Sequence, residues 1–185
     1  MLILKSASPR RKEILENLGL KIQIQPSQAN EADFFAEMPL DYLKRVALLK
    51  LEIENLDSRH LTISADTIVV SENKIIQKPK DFEEAYEILS SLNGKEHSVY
   101  SGLAYSFESK IDFSFEETRV QFKNLSKSSI EDYINISKPF DKAGSYGIQD
   151  FNSPVKNFIG SYSNVVGFPI REFYKLHPIW KEYLF

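Results

Sequence analysis

Apolar residues follow two different spacings in the first third of the chain. Residues 2–4 are continuously apolar, as in a buried strand, and Ser8-Pro9 then supplies a favourable N-cap and first helical residue. The next apolar residues recur at helical spacing until Gly19, which is placed to end the helix. The pattern therefore predicts a strand that runs directly into a helix, with the junction at residues 6–11.

The remaining chain first continues this alternation and then changes to paired strands. The predicted elements are, in order, a strand at 20–25, an acidic loop at 26–38, a helix from Pro39, a buried strand at 61–70, a helix from Asp81 to about Ser91, two paired strands at 99–107 and 111–122, a helix capped at Ser128 and reaching about Ser137, short strands at 158–159 and 165–166 within a loop-rich segment, and a partly helical end from Ile170. This order indicates a mixed α/β or α+β fold in a single domain.

Composition narrows the functional class. The 185 residues carry a net charge of −3, which does not suit a protein that binds nucleic acid through a basic surface. The absence of cysteine excludes disulfides, zinc ribbons and a thiol nucleophile, so a metal would need oxygen or histidine ligands, and oxygen favours magnesium. The first apolar run is shorter than a signal-peptide core or a membrane span, so we expect a cytoplasmic protein without membrane association.

The first candidate site is the strand-to-helix junction. Its backbone N–H groups, the hydroxyls of Ser6 and Ser8, and the guanidinium groups of Arg10 and Arg11 can converge on a phosphate. The alternative is an ordinary capped helix with solvated arginines. Arginines in the first turn oppose the helix dipole, which favours the functional interpretation.

The second candidate is Asp66, a carboxylate within an otherwise apolar run of β-branched residues. A buried charge is costly unless it is paired or bound to a metal, so a functional role is favoured over a simple hydrogen bond at a strand end. Glu31 and Asp33 form an acidic loop that is either a second source of carboxylates or merely solvated. Lys50 lies on or beside an apolar helix face, where its ammonium group can also reach water.

The third candidate is a pair of segments rich in glycine and small polar residues, at 141–149 and 159–169. Glycine permits a close approach of the backbone to a base or a sugar, although many such loops are purely structural. The histidines have neither metal-ligand spacing nor an evident triad partner, and we interpret His60, His97 and His177 as structural.

The segments that carry this chemistry occur in a fixed order. They are Ser6-x-Ser8-Pro9-Arg10-Arg11, Glu31, Arg45-Val46-Ala47-x-x-Lys50, Ala65-Asp66-Thr67, Lys78-Pro79, Asp141-Lys142-Ala143-Gly144-x-Tyr146-Gly147-Ile148-Gln149 and Gly160-Ser161-Tyr162-x-Asn164-Val165-Val166-Gly167-x-Pro169. Over nearly the whole chain, this ordered set closely resembles the Maf family of nucleotide pyrophosphatases.

The resemblance implies an elongated α/β fold, with a mixed sheet flanked by helices and two lobes around a central cleft. That fold is shared with inosine triphosphate pyrophosphatases and is often seen as a homodimer. It also implies a divalent cation, magnesium or manganese, and a proton acceptor at Asp66. Positions that match other implicated site residues of the family are Ser8, Arg11, Glu31, Lys50 and Lys78.

Substrate choice in this family follows three positions, which here are Arg10, Thr67 and Gln149. This combination resembles the branch that acts on dTTP and UTP, whereas the 7-methyl-GTP branch tends to have tryptophan at the first position and glutamine at the second. Two departures affect local loop shape, because Gln77 and Asp150 stand where glycine is usual.

The resulting hypothesis is an enzyme that hydrolyses dTTP and UTP to the nucleoside monophosphate and pyrophosphate. Glu31 and Asp66 would hold magnesium, Arg11, Lys50 and Lys78 would add positive charge around the phosphates, and Asp66 would accept a proton from the attacking water. The alternatives are a phosphatase that releases orthophosphate, a 7-methyl-GTP pyrophosphatase of the same family, and a non-catalytic nucleotide-binding regulator of cell division.

Overall fold

The computed structural model describes residues 1–29, 37–53 and 56–184 and contains a mixed sheet of seven strands flanked by helices. The strands are β1 (Leu2–Leu4), β2 (Ile22–Ile24), β3 (Leu61–Ser71), β4 (Lys74–Ile76), β5 (Glu96–Phe107), β6 (Lys110–Phe122) and β7 (Val155–Ile159). They follow the order β2-β1-β3-β5-β6-β7, with β4 paired to β3 outside this path. The predicted mixed α/β fold is confirmed.

Both types of strand pairing occur in the sheet. The strand β1 pairs in parallel with β2 and with β3, placing Leu2 opposite both Ile22 and Leu61. The pairs β3–β4 and β6–β7 are antiparallel. A parallel pair needs a crossover connection, and a helix between β1 and β2 provides it, as the apolar pattern predicts.

Seven α-helices are described. They are α1 (Pro9–Asn17), α2 (Pro39–Leu51), α3 (Phe82–Leu92), α4 (Lys127–Ser137), α5 (Tyr162–Val166), α6 (Ile170–Tyr174) and α7 (His177–Trp180). Side-chain oxygens cap three of them, because Ser8, Asp81 and Ser126 each accept a hydrogen bond from a backbone N–H in the first turn. Gly19, with a φ of 80°, follows the end of α1 as expected.

The described chain divides into two compact units, each with its own hydrophobic core. The first unit comprises residues 1–67, 101–116 and 167–185, and its core includes Leu4, Leu15, Ile63, Phe168 and Phe173. The second unit comprises residues 68–100 and 117–166, and its core includes Val69, Leu89, Val120, Phe122 and Tyr133. No helix among the described residues is long and apolar enough to cross a membrane.

The strand predicted at residues 165–166 is wrong, because these residues belong to α5. Two adjacent valines favour a strand, but Asn164 beside them is completely buried and donates to Val99 O at 3.0 Å and to Thr118 Oγ1 at 2.9 Å. These long-range hydrogen bonds override the local β-propensity.

Some element boundaries also differ from the prediction. The N-cap of α4 is Ser126 and not Ser128, since Ser126 Oγ accepts the Ser129 N–H at 3.2 Å. The chain also forms β4, which was not predicted, after a turn at Glu72 and Asn73 with φ values of 51° and 61°. Residues 74–76 are too few to show a clear alternating pattern.

Burial of His97 predicts an acid-sensitive fold. His97 is 4% exposed, its Nε2 lies 2.9 Å from Tyr146 Oη, and burial lowers its pKa from 6.5 to about 4. Below about pH 6.5 the histidine is protonated in the unfolded chain but stays neutral in the folded protein. The free energy of unfolding therefore falls as the pH decreases towards 4.

We expect His97→Gln to weaken this pH dependence. In urea unfolding, the free energy lost between about pH 7 and pH 5 should be smaller in the variant by about 2 kcal/mol. His177→Gln, at an exposed histidine, is the control and should retain the wild-type dependence. Equal pH dependence in all three proteins would contradict the assignment.

Candidate active site

The strand-to-helix junction is built around two serine hydroxyls in the first unit. Ser6 Oγ accepts from the backbone N–H of Ser8 at 3.2 Å, and Ser8 Oγ accepts from that of Arg11 at 3.5 Å. The second contact is the N-cap bond of α1. Ser8 is therefore the N-cap of an ordinary capped helix. A role of Ser8 in phosphate binding stays a prediction.

Arg11 connects this junction to the adjoining parts of the unit. Its Nε donates to Gly167 O at 2.8 Å, Nη1 to Ser6 Oγ at 3.2 Å, and Nη2 to Thr67 Oγ1 at 3.3 Å. Arg11 is therefore not simply a solvated arginine. Its guanidinium group brings the start of α1 against Thr67, the residue that follows Asp66.

Asp66 and Lys50 form a largely buried ion pair. Lys50 Nζ lies 2.6 Å from Asp66 Oδ1, and the side chains are 12% and 13% exposed. Their alignment is set one turn earlier, where Ser64 Oγ donates to Ala47 O at 2.6 Å and thereby fixes α2 against β3. Lys50 therefore directs its ammonium group to a carboxylate, and the alternative of a lysine that only reaches water is wrong.

Thr67 adds a polar contact that the sequence did not indicate. Its Oγ1 lies 2.8 Å from Ser101 Oγ as well as accepting from Arg11, and Ser101 is completely buried. Ser101 was missed because nothing in the sequence distinguishes it from Ser98 and Ser106 of the same strand. Such a serine becomes informative only when a second strand brings another hydroxyl beside it.

A second ion pair holds the chain that precedes the acidic loop. Lys5 Nζ lies 2.8 Å from Glu52 Oε2, and Glu52 Oε1 accepts from the backbone N–H of Gln28 at 2.6 Å. The hydrogen bond from Lys5, followed by that from Gln28, lowers the pKa of Glu52. The predicted metal ligand Glu31 and its neighbour Asp33 lie outside the described residues.

Two predicted site residues belong to the second unit. Lys78 is exposed after β4, between exposed Gln77 and buried Pro79. Gln149 is exposed on a turn in which Asp150 accepts a hydrogen bond from Gly147 N at 3.2 Å. Arg10, in the first unit, is half-buried in the first turn of α1.

One of the two predicted metal ligands, Asp66, lies within the described residues. No group of three or more His, Asp or Glu side chains able to hold a metal occurs in residues 1–29, 37–53 or 56–184. Magnesium often takes only one or two protein carboxylates and completes its shell with phosphate oxygens and water. A single carboxylate in a largely buried, polar setting fits this type of site.

Residues 1–177 match the family model described as Maf-like protein. The chain belongs to the Maf family. The ordered set of segments in the sequence therefore reflects family membership, and nucleotide pyrophosphatases of this family generally need a divalent metal.

Two relatives of this Maf chain illustrate what it is similar to. The dTTP/UTP pyrophosphatase of Leptospira interrogans is 49% identical over 184 residues, which cover 100% of this chain and 97% of that protein. The dTTP/UTP pyrophosphatase of Thermosipho africanus is 42% identical and covers 91% of this chain and 87% of its own length. Among solved structures, the chain was compared with a nucleoside-triphosphatase / dITP/XTP pyrophosphatase from Mycobacterium abscessus. The match covers 96% of this chain and 94% of that chain. Its sequence identity of 8% and TM-score of 0.46 are too low to establish a shared fold.

We expect the Lys50–Asp66 pair to contribute to stability even without a ligand. Lys50→Met leaves a largely buried carboxylate without its cation and should lower the free energy of unfolding by about 3 kcal/mol. Combining it with Asp66→Asn should cost less than the sum of the single changes, by at least about 1 kcal/mol.

Urea unfolding without nucleotide or metal measures this coupling. Lys12→Met is the control, because the Lys12–Glu16 pair is about half exposed on both sides, and it should have little effect on stability. Additive effects of the Lys50 and Asp66 changes would show that the 2.6 Å contact is energetically unimportant.

Proposed function

We propose that this Maf chain hydrolyses dTTP and UTP, releasing the nucleoside monophosphate and pyrophosphate. The observation that carries the proposal is the largely buried Asp66–Lys50 pair directly beside Thr67, which Arg11 contacts. Full-length relatives at 42–49% identity that are named dTTP/UTP pyrophosphatases support the substrate class.

Asp66 is proposed as the general base that takes a proton from the attacking water. The carboxylate is the reactive group, and Lys50 holds it in one orientation through the 2.6 Å contact. General-base catalysis requires such a fixed geometry, because proton transfer depends on hydrogen-bond distance to the water. Asp66 is half-buried on β3, between the buried Ala65 and the half-buried Thr67.

The triphosphate would be bound by fixed positive charges and hydroxyl groups. We assign Ser8, Arg11, Lys50 and Lys78 to the phosphates, with Arg11 and Lys50 already oriented by their contacts within the first unit. Groups that are positioned before substrate arrives stabilise developing charge without further reorganisation. Arg10, Thr67 and Gln149 are assigned to recognition of the pyrimidine nucleotide.

A divalent cation, magnesium or manganese, would be held by Asp66 together with Glu31 and oxygen atoms of the substrate. When bound, it would neutralise the charge that develops on the pyrophosphate leaving group. We further propose that the protein acts in the cytoplasm as a homodimer on small nucleotides.

We expect Asp66→Asn to reduce turnover of dTTP by at least about 100-fold, within the usual range for removal of a general base. The asparagine amide oxygen can still accept from Lys50, so urea unfolding should show a much smaller effect than Lys50→Met. Asp57→Asn, which removes a carboxylate beside Arg59 in the same unit, is the matched control and should keep wild-type turnover. Near-normal turnover of Asp66→Asn would rule out the base assignment.

A panel of nucleoside triphosphates with magnesium tests the reaction and its selectivity. We expect pyrophosphate rather than orthophosphate as the product, and higher kcat/KM for dTTP and UTP than for GTP and 7-methyl-GTP. Orthophosphate release would indicate a phosphatase, and a preference for a guanine nucleotide would indicate the other branch of the family. Binding without hydrolysis would indicate a regulator.

A further inference from the structure

Gln149 lies on a short turn, residues 147–150, that is closed by side-chain hydrogen bonds. The backbone N–H of Asp150 donates to Gly147 O at 3.2 Å. The hydroxyl of Tyr133 donates to Asp150 Oδ2 at 2.5 Å and accepts from Gly147 N at 2.9 Å, and Gly147 N also lies 3.2 Å from Asp150 Oδ2. Three polar groups therefore join the two ends of the 147–150 turn to α4.

The turn and the Asp150 side chain fit closely together. A Cβ atom at position 147 would lie 2.6 Å from Asp150 Oδ1, so glycine at 147 lets the carboxylate occupy this position against the backbone. Tyr133 is 1% exposed, and burial, followed by its hydrogen bond to Asp150, raises the pKa of its hydroxyl. The hydroxyl therefore remains a proton donor to Asp150 at physiological pH.

Contacts on both sides extend this restraint. One helical turn beyond Tyr133, Ser137 Oγ donates to Asn152 Oδ1 at 3.0 Å. On the other side, the buried Tyr146 hydroxyl lies 2.9 Å from His97 Nε2. Within the 147–150 turn Gly147 is buried and Ile148 and Asp150 are half-buried, whereas Gln149 is exposed.

Simple closure of a surface turn does not require this arrangement. A hydrogen-bonded carboxylate beside a buried tyrosine costs desolvation that an apolar contact of the same shape would avoid. The polar pair instead gives a directional link, since one Asp150 oxygen contacts two donors and holds the turn in one conformation. The side chain of Gln149 thereby projects from a backbone fixed at both ends.

We propose that the hydrogen bond between Tyr133 and Asp150 positions Gln149 for contact with the nucleobase, so that these two residues help to set base selectivity without touching the substrate. This inference rests on the proposed function and on the assignment of Gln149 to base recognition. Because the turn is ordered before the substrate binds, the binding free energy does not include the entropic cost of ordering the turn. The effect should therefore appear in binding and not in the chemical step.

The test compares Asp150→Ala, Tyr133→Phe and Asp150→Asn with the wild type. For Asp150→Ala and Tyr133→Phe we expect KM for dTTP to rise by about 10-fold with kcat changed by less than about 2-fold. The preference for dTTP over GTP should decrease in parallel. Asp150→Asn should restore most of the wild-type KM, because its amide oxygen can accept from Tyr133.

Two further comparisons separate positioning from a general loss of structure. In a Gln149→Ala background, Asp150→Ala should raise KM by less than about 2-fold, because the residue that the turn positions is then absent. Asp132→Asn, at an exposed carboxylate on the same helix beside Tyr133, is the matched charge control and should leave KM unchanged.

Unchanged KM and selectivity in Asp150→Ala and Tyr133→Phe would overturn the inference, as would a full 10-fold effect of Asp150→Ala in the Gln149→Ala background. Titration calorimetry with α,β-methylene-dTTP measures the same affinity changes without hydrolysis. Failure of the proposed function would instead be seen in the wild type, as an absence of pyrophosphate release from dTTP.

Discussion

A carboxylate in the middle of a largely buried strand needs a cation, and Lys50 supplies it for Asp66 at 2.6 Å. The pairing restricts how α2 can lie on β3, and the bond from Ser64 Oγ to Ala47 O fixes the same alignment one turn earlier. Four apolar residues of α2, Leu43, Val46, Ala47 and Leu51, are buried in that orientation. Charge pairing and core packing therefore select the same position for the helix.

Arg11 imposes a comparable restriction on α1. Its guanidinium group donates to the nearby Ser6 hydroxyl and to two groups that are distant in sequence, the Gly167 carbonyl and the Thr67 hydroxyl. The planar group with its several donors suits such a junction better than lysine would. An arginine in the first turn is unfavourable for an isolated helix, and these contacts offset that local cost.

The sequence predicted much of the fold because many elements have local causes. The N-cap at Ser8, the capping box at Asp81 and the apolar run around Asp66 all act over a few residues, and the structure has a helix or strand at each. Val165 and Val166 were assigned wrongly because the hydrogen bonds of Asn164 reach Val99 and Thr118, far away in sequence. Pairwise partners such as Lys50 and Asp66 could be suspected individually, but their contact depends on packing.

The fit between Gly147 and Asp150 restricts the order in which these positions can change during evolution. With the Asp150 carboxylate in its present position, a Cβ atom at 147 would lie 2.6 Å from it, so the carboxylate would have to move and disturb its contacts with Tyr133 and Gly147. A substitution at position 147 therefore costs less once Asp150 has been replaced by a smaller residue. Lineages that retain the acidic residue are therefore expected to favour glycine three residues earlier, whatever selection acts on the intervening glutamine.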